Sequence, residues 1–256
     1  MDLQISGKRA VVLGASRGLG QAIAKSLAAE GVTAFAAARS GDKSEAWAAD
    51  MDNVHAVQLD LGDLAQVERI IDKLLEDGGV DIIVNNGGGP PPGTAQSADR
   101  EDWVSHFEVM AANLFHMTNR LLPNMKERGW GRIISITSSG VEQPIPNLAL
   151  SNGIRSAVVG WSKTLANEVA GDGITVNVVM PGRIHTERVD ELDAAASKRT
   201  DTPVAEVAKK SRATIPAGRY GKPEEFADVV TFLASERASY VTGSKIRIDG
   251  GAIKSI

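Results

Sequence analysis

Residues 11–27 read Val11-Val12-Leu13-Gly14-Ala15-Ser16-Arg17-Gly18-Leu19-Gly20, followed by Gln21-Ala22-Ile23-Ala24-Lys25-Ser26-Leu27. An apolar run here passes through three glycines into a helical pattern. Gly14, Gly18 and Gly20 allow a sharp turn and leave bare backbone amides at a helix N-terminus, where a pyrophosphate group can approach. Glycine triplets alone are a weak signal, because strand-to-helix turns often contain one glycine. The spacing predicts a strand, a turn and a helix that hold a dinucleotide.

Outside this turn, short runs rich in β-branched residues alternate with helical patterns. Most runs are continuously apolar, which is typical of parallel strands covered by helices on both faces. The alternation predicts an α/β fold, a Rossmann-like doubly wound parallel sheet of seven strands. No repeat, low-complexity tract or linker divides the chain, so we expect residues 1–256 to form one domain. The predicted strands are Arg9–Leu13, Val32–Ala38, Val54–Leu59, Val80–Val84, Arg132–Thr137, Ile174–Val179 and Lys245–Ile248.

The composition excludes several classes of protein. There are no cysteines, so disulfides, thiolate catalysis and cysteine-bound metals are excluded. The net charge is −4 and the charges are scattered, so we expect no nucleic-acid partner. No opening run resembles a signal peptide and no apolar run is long enough for a membrane helix, so we expect a cytoplasmic protein with no membrane partner. His55, His106 and His116 lack metal-ligand spacing, and we expect no metal site.

The second predicted strand ends Ala36-Ala37-Ala38-Arg39-Ser40. A site for NAD usually places a carboxylate here to accept a hydrogen bond from the ribose 2′-hydroxyl, whereas a 2′-phosphate needs cations. The carboxylate is absent, and both Arg39 and Arg17 can reach a 2′-phosphate. This favours NADP over NAD; the alternative is that both arginines are solvated surface residues.

Two later strand ends also carry information. Asp60 closes the third predicted strand and is either an adenine contact or a turn residue, and Asp63 with Gln66 predicts a capping box for the next helix. The fourth strand runs into Asn85-Asn86-Gly87-Gly88-Gly89-Pro90-Pro91-Pro92-Gly93, at the carboxyl edge where ligands lie in such folds. The three prolines forbid a helix and predict a rigid loop.

Together these motifs resemble those of the short-chain dehydrogenase/reductase family, over nearly the whole chain. Gly14-x-x-x-Gly18-x-Gly20 is similar to its cofactor turn, and Asn85-Asn86-Gly87-Gly88 to its Asn-Asn-Ala-Gly motif with one change. Pro181-Gly182 with Thr186 resembles its loop over the nicotinamide, and Tyr240-Val241-Thr242-Gly243 through Asp249-Gly250-Gly251 resembles its last strand. Within the family, the chain resembles the 3-oxoacyl-carrier-protein reductase branch. The resemblance implies cofactor contacts from Gly14, Ser16, Arg17, Gly18, Leu19, Gly20, Arg39, Asp60, Leu61, Asn86, Gly87, Arg155, Pro181, Gly182, Ile184 and Thr186.

The family's chemistry rests on an asparagine, a serine, a tyrosine and a lysine, and this sequence keeps only the serine. Ser138 lies where the family serine does, Ser151 stands where the tyrosine is expected, and Arg155 stands where the lysine is expected. Met110 occupies the asparagine position, and Asn113, about one helical turn further along, is the family asparagine only if the helix is locally shifted. The resemblance therefore implies a degenerate catalytic site around Ser138, Ser151 and Arg155.

These replacements change the acid chemistry. A phenol has a pKa near ~10 that a neighbouring cation can bring toward neutrality, whereas an aliphatic hydroxyl lies several units higher. Arg155 is permanently protonated and cannot pass protons, although its fork can hold ribose hydroxyls. Arg183 and His185 lie in the nicotinamide loop, and His185 is a candidate substitute acid, because histidine is the side chain type suited to proton transfer near neutral pH. The alternative is a partly solvated loop histidine.

Residues 187–216 are charged and alanine-rich, and the resemblance implies that they form a lid over the substrate. Their charges are compatible with an anionic ligand or with a solvated helical face. A further helix is predicted from Pro223 to Leu233, with proline in its first turn. An apolar wall for a small-molecule substrate is predicted from Val141, Ile145, Pro146 and Leu148.

Two functions fit the sequence. One is an NADP-dependent oxidoreductase for a carbonyl or alcohol substrate, with a rearranged acid. The other is a protein that binds NADP but transfers no hydride and acts as a sensor or assembly partner. Fold alone does not decide between them. The family's usual assembly implies a homo-oligomer, a tetramer or a dimer, formed through the C-terminal strand and two predicted long helices, Asp99–Arg128 and Asn147–Ala170.

Overall fold

The computed structural model describes residues 1–256 and contains one seven-stranded sheet. Its strands are β1 (Arg9–Leu13), β2 (Thr33–Ala38), β3 (Val54–Gln58), β4 (Ile82–Asn85), β5 (Gly131–Ile136), β6 (Ile174–Pro181) and β7 (Lys245–Ile248). Their order across the sheet is β3-β2-β1-β4-β5-β6-β7, and every neighbouring pair is parallel. The predicted Rossmann-like, doubly wound fold of a single domain is confirmed.

Several predicted strand bounds differ from the observed ones by one or two residues. β6 continues to Pro181 because its last residues pair with β7, where Pro181 lies opposite Ile248. β4 begins at Ile82 instead of Val80, and the carboxylate of Asp81 accepts a hydrogen bond from the backbone amide of Arg9 at 2.9 Å. The bounds of β1 and β7 are confirmed.

Helices cover both faces of the sheet. On one face Ile23 and Leu27 of one helix pack with Phe226 of another, and on the other face Ile71 packs with Leu121; all five side chains are buried. Ile23 and Leu27 lie on one helix face because they are four residues apart. No helix is both long and apolar enough to span a bilayer. The helices are α1 (Gly18–Ala29), α2 (Gly41–Ala48), α3 (Leu64–Glu76), α4 (Arg100–Phe107), α5 (Asn113–Arg128), α6 (Ala149–Val169), α7 (Glu187–Thr200), α8 (Val204–Ala213) and α9 (Pro223–Leu233).

The long helix predicted for residues 99–128 is interrupted. A π-helical turn, Glu108–Ala112, joins α4 to α5. Asp99 caps α4 by accepting a hydrogen bond from the amide of Asp102 at 2.8 Å, and α5 ends at Gly129, which is left-handed with φ +62°. A π turn makes i→i+5 bonds and so shifts the helical phase of the side chains that follow it. Met110 lies within this turn.

The start of α3 differs from the predicted capping box. Asp63 accepts a hydrogen bond from the amide of Gln66 at 3.1 Å, as predicted. The side-chain oxygen of Gln66, however, accepts from the amide of Asp60 at 3.1 Å and not from the amide of Asp63. Gln66 therefore ties the end of β3 to α3 instead of closing the box.

Candidate functional site

The turn between β1 and α1 is shaped for a phosphate group. Gly14 and Gly18 have φ of +64° and +59°, a region that other residues rarely adopt. A Cβ on Gly14 would lie 2.5 Å from the backbone oxygen of Asn86, and one on Gly20 would collide with the backbone oxygen of Gly14. Arg17 precedes α1 and makes no capping hydrogen bond, so the first amides of the helix have no side-chain acceptor. Such a helix N-terminus accepts a pyrophosphate.

The predicted nicotinamide loop lies directly against this turn. A Cβ on Gly18 would lie 3.5 Å from Cγ2 of Thr186, so the two segments are neighbours. Gly182 is closely packed, since a Cβ there would lie 2.6 Å from the Cα of Asp249. The structure therefore brings together two sets of predicted cofactor residues: Gly14, Ser16, Arg17, Gly18, Leu19 and Gly20 of the turn, and Pro181, Gly182, Ile184 and Thr186 of the loop.

The two arginines predicted to contact a 2′-phosphate differ in their surroundings. Arg39 follows the end of β2, is exposed, and forms no ion pair or side-chain hydrogen bond. Arg17 is already paired, through Nη1 with Glu187 and through Nη2 with Glu191 at 3.0 Å. The hydrogen bonds that Arg17 donates to these two carboxylates raise its pKa. Arg39 is thus free to meet a phosphate, whereas Arg17 joins the glycine turn to α7.

The predicted adenine region is held by local hydrogen bonds. Oδ1 of Asp60 accepts from the amide of Gly62 at 2.9 Å, as a turn residue does. Asn113 is buried, and its Nδ2 donates to the carbonyl oxygen of Leu61 at 2.6 Å. The structure thus ties Asn113 to the backbone of Leu61, and Asn113 makes no hydrogen bond with Ser138.

Met110, at the position of the family asparagine, is buried in an apolar cluster. It packs with Ala111, Leu150, Ile154 and Val158. The π turn is therefore present although Met110 replaces the family asparagine within it.

The loop after β4 contacts both the glycine turn and α6. Asn86 Nδ2 donates to the oxygen of Gly14 at 3.4 Å. Further along, the amide of Gly93 donates to the oxygen of Asn147 at 2.8 Å, and the amide of Ala149 donates to the oxygen of Gly93 at 3.2 Å. This bridge fastens the proline loop to the first residues of α6.

Arg155 lies on α6 and reaches the carboxyl edge of the sheet. Its Nη1 donates to the carbonyl oxygen of Ile136 at 2.8 Å, and its Nη2 approaches the oxygens of Gly88 at 3.3 Å and Gly87 at 3.5 Å. Burial lowers the pKa of Arg155 to about 10, and the charge of Arg188 acts in the same direction. The guanidinium stays protonated at neutral pH, so the predicted inability of Arg155 to pass protons fits its surroundings.

Ser138 and Ser151 lie on two different segments, the loop after β5 and helix α6. Ser138 follows β5, and its Oγ accepts a hydrogen bond from the amide of Gly140 at 3.1 Å, which leaves the hydroxyl hydrogen free to donate. Ser151 is 8% exposed and lies four residues before Arg155 on α6. Of the predicted apolar wall, Val141, Ile145 and Leu148 are partly buried and Pro146 is exposed.

His185 has other neighbours than these two serines. The imidazole is 66% exposed, its Nε2 lies 3.5 Å from Oδ1 of Asp190, and its ring centroid is 6.2 Å from that of Tyr220. It makes no hydrogen bond with Ser138 or Ser151. The structure therefore agrees with the alternative of a partly solvated loop histidine.

Three residues that the sequence did not single out support the predicted lid, which consists of α7 and α8. Asp193 is buried; its Oδ1 accepts from Arg183 at 2.7 Å and its Oδ2 accepts from the hydroxyl of Tyr220 at 2.7 Å. Arg188 donates to the oxygen of Pro90 at 3.1 Å. No sequence motif includes Tyr220 or Arg188, and Asp193 is one of many acids in the segment. Only the folded structure shows which contacts these three residues make.

These residues fit a dinucleotide that carries a 2′-phosphate. The glycine turn would hold the pyrophosphate, and Arg39 has a free charge where β2 ends and no carboxylate follows. A bound nicotinamide would lie beneath the loop that contains Thr186. No group of three His, Cys, Asp or Glu side chains is arranged to hold a metal ion.

The family model described as Enoyl-(Acyl carrier protein) reductase matches residues 14–252. The chain belongs to the short-chain dehydrogenase/reductase family. This family of oxidoreductases includes 3-oxoacyl-[acyl-carrier-protein] reductase FabG of Escherichia coli, to which the chain is 36% identical over 253 residues, covering 97% of this chain and 98% of that protein. The predicted resemblance is confirmed at the level of the family and of this branch.

Two solved structures share the whole fold. L-sorbose reductase from Gluconobacter frateurii, complexed with NADPH and L-sorbose, superposes with a TM-score of 0.94 at 33% identity and covers 100% of both chains. YwfH, an NADPH dependent reductase involved in bacilysin biosynthesis, has a TM-score of 0.93 at 31% identity, covering 98% of this chain and 100% of its own.

Proposed function

We propose that the chain is an NADPH-dependent reductase that converts a carbonyl group of a small molecule to an alcohol. The observation that carries this proposal is the candidate NADPH site: an uncapped helix N-terminus beside three glycines, of which Gly14 and Gly20 have no room for a side chain, with the unpaired Arg39 just after β2. The NADPH-bound sorbose reductase, whose fold matches throughout, supports the choice of cofactor.

When bound, NADPH supplies a hydride, which is a hydrogen with two electrons, to the carbonyl carbon. The carbonyl π pair then moves to oxygen, which takes up one proton, and NADP⁺ is released. In our proposal the hydroxyls of Ser138 and Ser151 donate hydrogen bonds to that oxygen, and the positive charge of Arg155 stabilises it as negative charge develops. Arg155 passes no proton, and the proton comes from water, because neither serine has a suitable pKa.

The alternative is an NADPH-binding protein that transfers no hydride. The apolar surroundings of Met110 and the absence of a phenol at Ser151 favour it. The candidate NADPH site is common to both proposals, so cofactor binding does not separate them; turnover does.

The deciding experiment has two stages. Titration calorimetry with NADPH and with NADH tests the candidate NADPH site, and we expect NADPH to bind more tightly. The oxidation of NADPH is then followed by absorbance with a panel of ketones, aldehydes and oxo acids. Binding with turnover supports the reductase, binding without turnover on any member supports the alternative, and no binding of either nucleotide overturns both.

We further propose that the chain forms a homo-oligomer through α4, α5 and α6. A shallow groove of about 520 Å³ runs along α4 and the π turn, lined by Trp103, Val104, Phe107, Glu108 and Ala112. Val104 and Phe107 are 51% and 40% exposed, which is unusual for neighbouring large apolar side chains. Light scattering of the purified protein and of Val104→Glu tests this proposal; a monomer in both cases would contradict it.

A further inference from the structure

Arg155 is a cation without a carboxylate partner, whereas the neighbouring arginines of the glycine turn, the nicotinamide loop and α7 each have one. Arg17 pairs with Glu187 and Glu191, and Arg188 also pairs with Glu191, at 3.3 Å. Arg183 pairs with Asp193 at 2.7 Å. The acceptors of Arg155, in contrast, are the backbone carbonyls of residues 87, 88 and 136, which are neutral.

Those carbonyls leave part of the guanidinium unused. The hydrogen bonds of Arg155 to these carbonyls come from Nη1 and Nη2, and Nε has no acceptor in the protein. A guanidinium presents five N–H donors in a planar fork, which matches a carboxylate in two parallel bonds. A partly buried charge is costly unless an opposite charge or hydrogen bonds compensate it. The geometry leaves Arg155 with both spare donors and an unbalanced charge.

A second guanidinium approaches the same loop. Arg188 of α7 donates to the oxygen of Pro90 at 3.1 Å, and a Cβ on Gly89 would lie 3.5 Å from its Nη2. Arg155 contacts the oxygen of Gly88 in the same loop at 3.3 Å. Two like charges on one short loop repel each other unless an anion lies near both. Glu191 is shared between Arg188 and Arg17, so it neutralises the positive charge of Arg188 only in part.

We propose that the substrate is an oxo acid, whose carboxylate pairs with Arg155 while its carbonyl group faces Ser138 and Ser151. This inference rests on the proposed reductase function and names its substrate class. Arg188 closes over the same carboxylate from the lid. A neutral ketone or an acyl thioester, which has no charge beside the reacting carbonyl, leaves Arg155 unbalanced and is the poorer substrate.

The test uses oxamate, a carboxylate beside an amide carbonyl that cannot be reduced, and its neutral ester methyl oxamate. Each is titrated calorimetrically into the full-length protein, with and without saturating NADPH. We expect oxamate to bind and methyl oxamate to bind about tenfold more weakly or not at all. Equal affinity for the two, or no binding of oxamate, overturns the proposal.

Three variants identify the residue responsible. Arg155→Gln removes the positive charge and should lower the affinity for oxamate by about tenfold. Arg155→Lys keeps the charge and should retain most of the affinity for oxamate. Arg69→Gln changes the net charge by the same amount at an exposed position on α3 and should leave oxamate binding unchanged. Circular dichroism checks that each variant folds. An unchanged affinity in Arg155→Gln overturns the proposal, and the rescue by lysine separates lost charge from lost structure.

A kinetic arm distinguishes this proposal from the proposed function. We compare kcat/KM for 2-oxobutyrate and for its methyl ester, which carry the same carbonyl group. Preference for the acid, lost in Arg155→Gln, supports both proposals. Turnover that favours the ester supports the reductase but overturns the oxo-acid proposal. If oxamate binds through Arg155 but no substrate is turned over, the result supports a carboxylate-binding site at Arg155 and contradicts the proposed reductase function.

Discussion

Nη2 of Arg17 lies 3.0 Å from Oε1 of Glu191, which fastens the glycine turn to the first turns of α7. We infer that the carboxylates of Glu187 and Glu191 compete with a cofactor phosphate for the guanidinium of Arg17. We expect Glu187→Gln combined with Glu191→Gln to tighten NADPH binding by about two- to fivefold, because exposed ion pairs contribute little and their loss frees Arg17. Calorimetry measures this. The double variant Glu206→Gln with Glu224→Gln, at exposed positions on α8 and α9, is the charge-matched control, and weaker binding in the Glu187/Glu191 double variant would contradict the competition.

Arg39 discriminates between the two nucleotides in our account. Replacing Arg39 by alanine should lower the affinity for NADPH by about tenfold and leave the affinity for NADH unchanged, because only NADPH carries the 2′-phosphate. Titration of both nucleotides into Arg39→Ala measures this difference. The exposed Arg69→Ala serves as control, and an equal loss for both nucleotides would show that Arg39 does not contact the phosphate.

His185 is expected to be dispensable. Its imidazole is exposed and lies beside Asp190 and Tyr220. Once a substrate is known, His185→Ala should keep at least about half of the turnover, with an unchanged pH profile around the ordinary histidine pKa. Loss of turnover to background would instead identify His185 as the acid that the sequence suggested.

The missing phenol can be tested by restoring it. The double variant Ser151→Tyr with Arg155→Lys supplies both family residues, and turnover of a neutral ketone such as ethyl acetoacetate should rise at least about tenfold. Its rate should fall as pH rises through the phenol pKa, because the acid is then deprotonated. Ser151→Phe with Arg155→Lys has the ring without the hydroxyl. Equal rates in the two double variants would contradict a role for the phenol.

Glu225 links acid stability to the start of α9. Hydrogen bonds from Arg219 and then from the amide of Lys222 lower its pKa from 4.5 to about 2. Because the folded-state pKa lies below the ordinary one, its contribution is complete above the ordinary pKa and is lost as pH falls toward the folded-state value. The urea midpoint of Glu225→Gln should therefore lie below that of the wild type at neutral pH, and the gap should narrow with acid. A gap that does not change with pH would contradict this linkage.

The strands could be predicted because buried parallel strands require continuous apolar runs, as in Val11–Leu13 and Ile82–Val84, and the glycine turn because it needs positive φ. The partners of Arg17 could not, since Glu187 is 170 residues away in the chain and is one of many acids in its segment. The acceptors of Arg155 are backbone carbonyls, which leave no trace in residue type. The π turn around Met110 likewise depends on packing and not on propensity.

The bridge between Gly93 and Leu148 has a kinetic consequence. It stiffens the proline loop at the start of α6, so we expect substrate entry and product release to depend on movement of α7 and α8. Helix α7 is fastened to the glycine turn by exposed ion pairs, which break readily in salt. We therefore expect the proline loop and the start of α6 to stay fixed, and the residence time of the product to depend on how often α7 and α8 move.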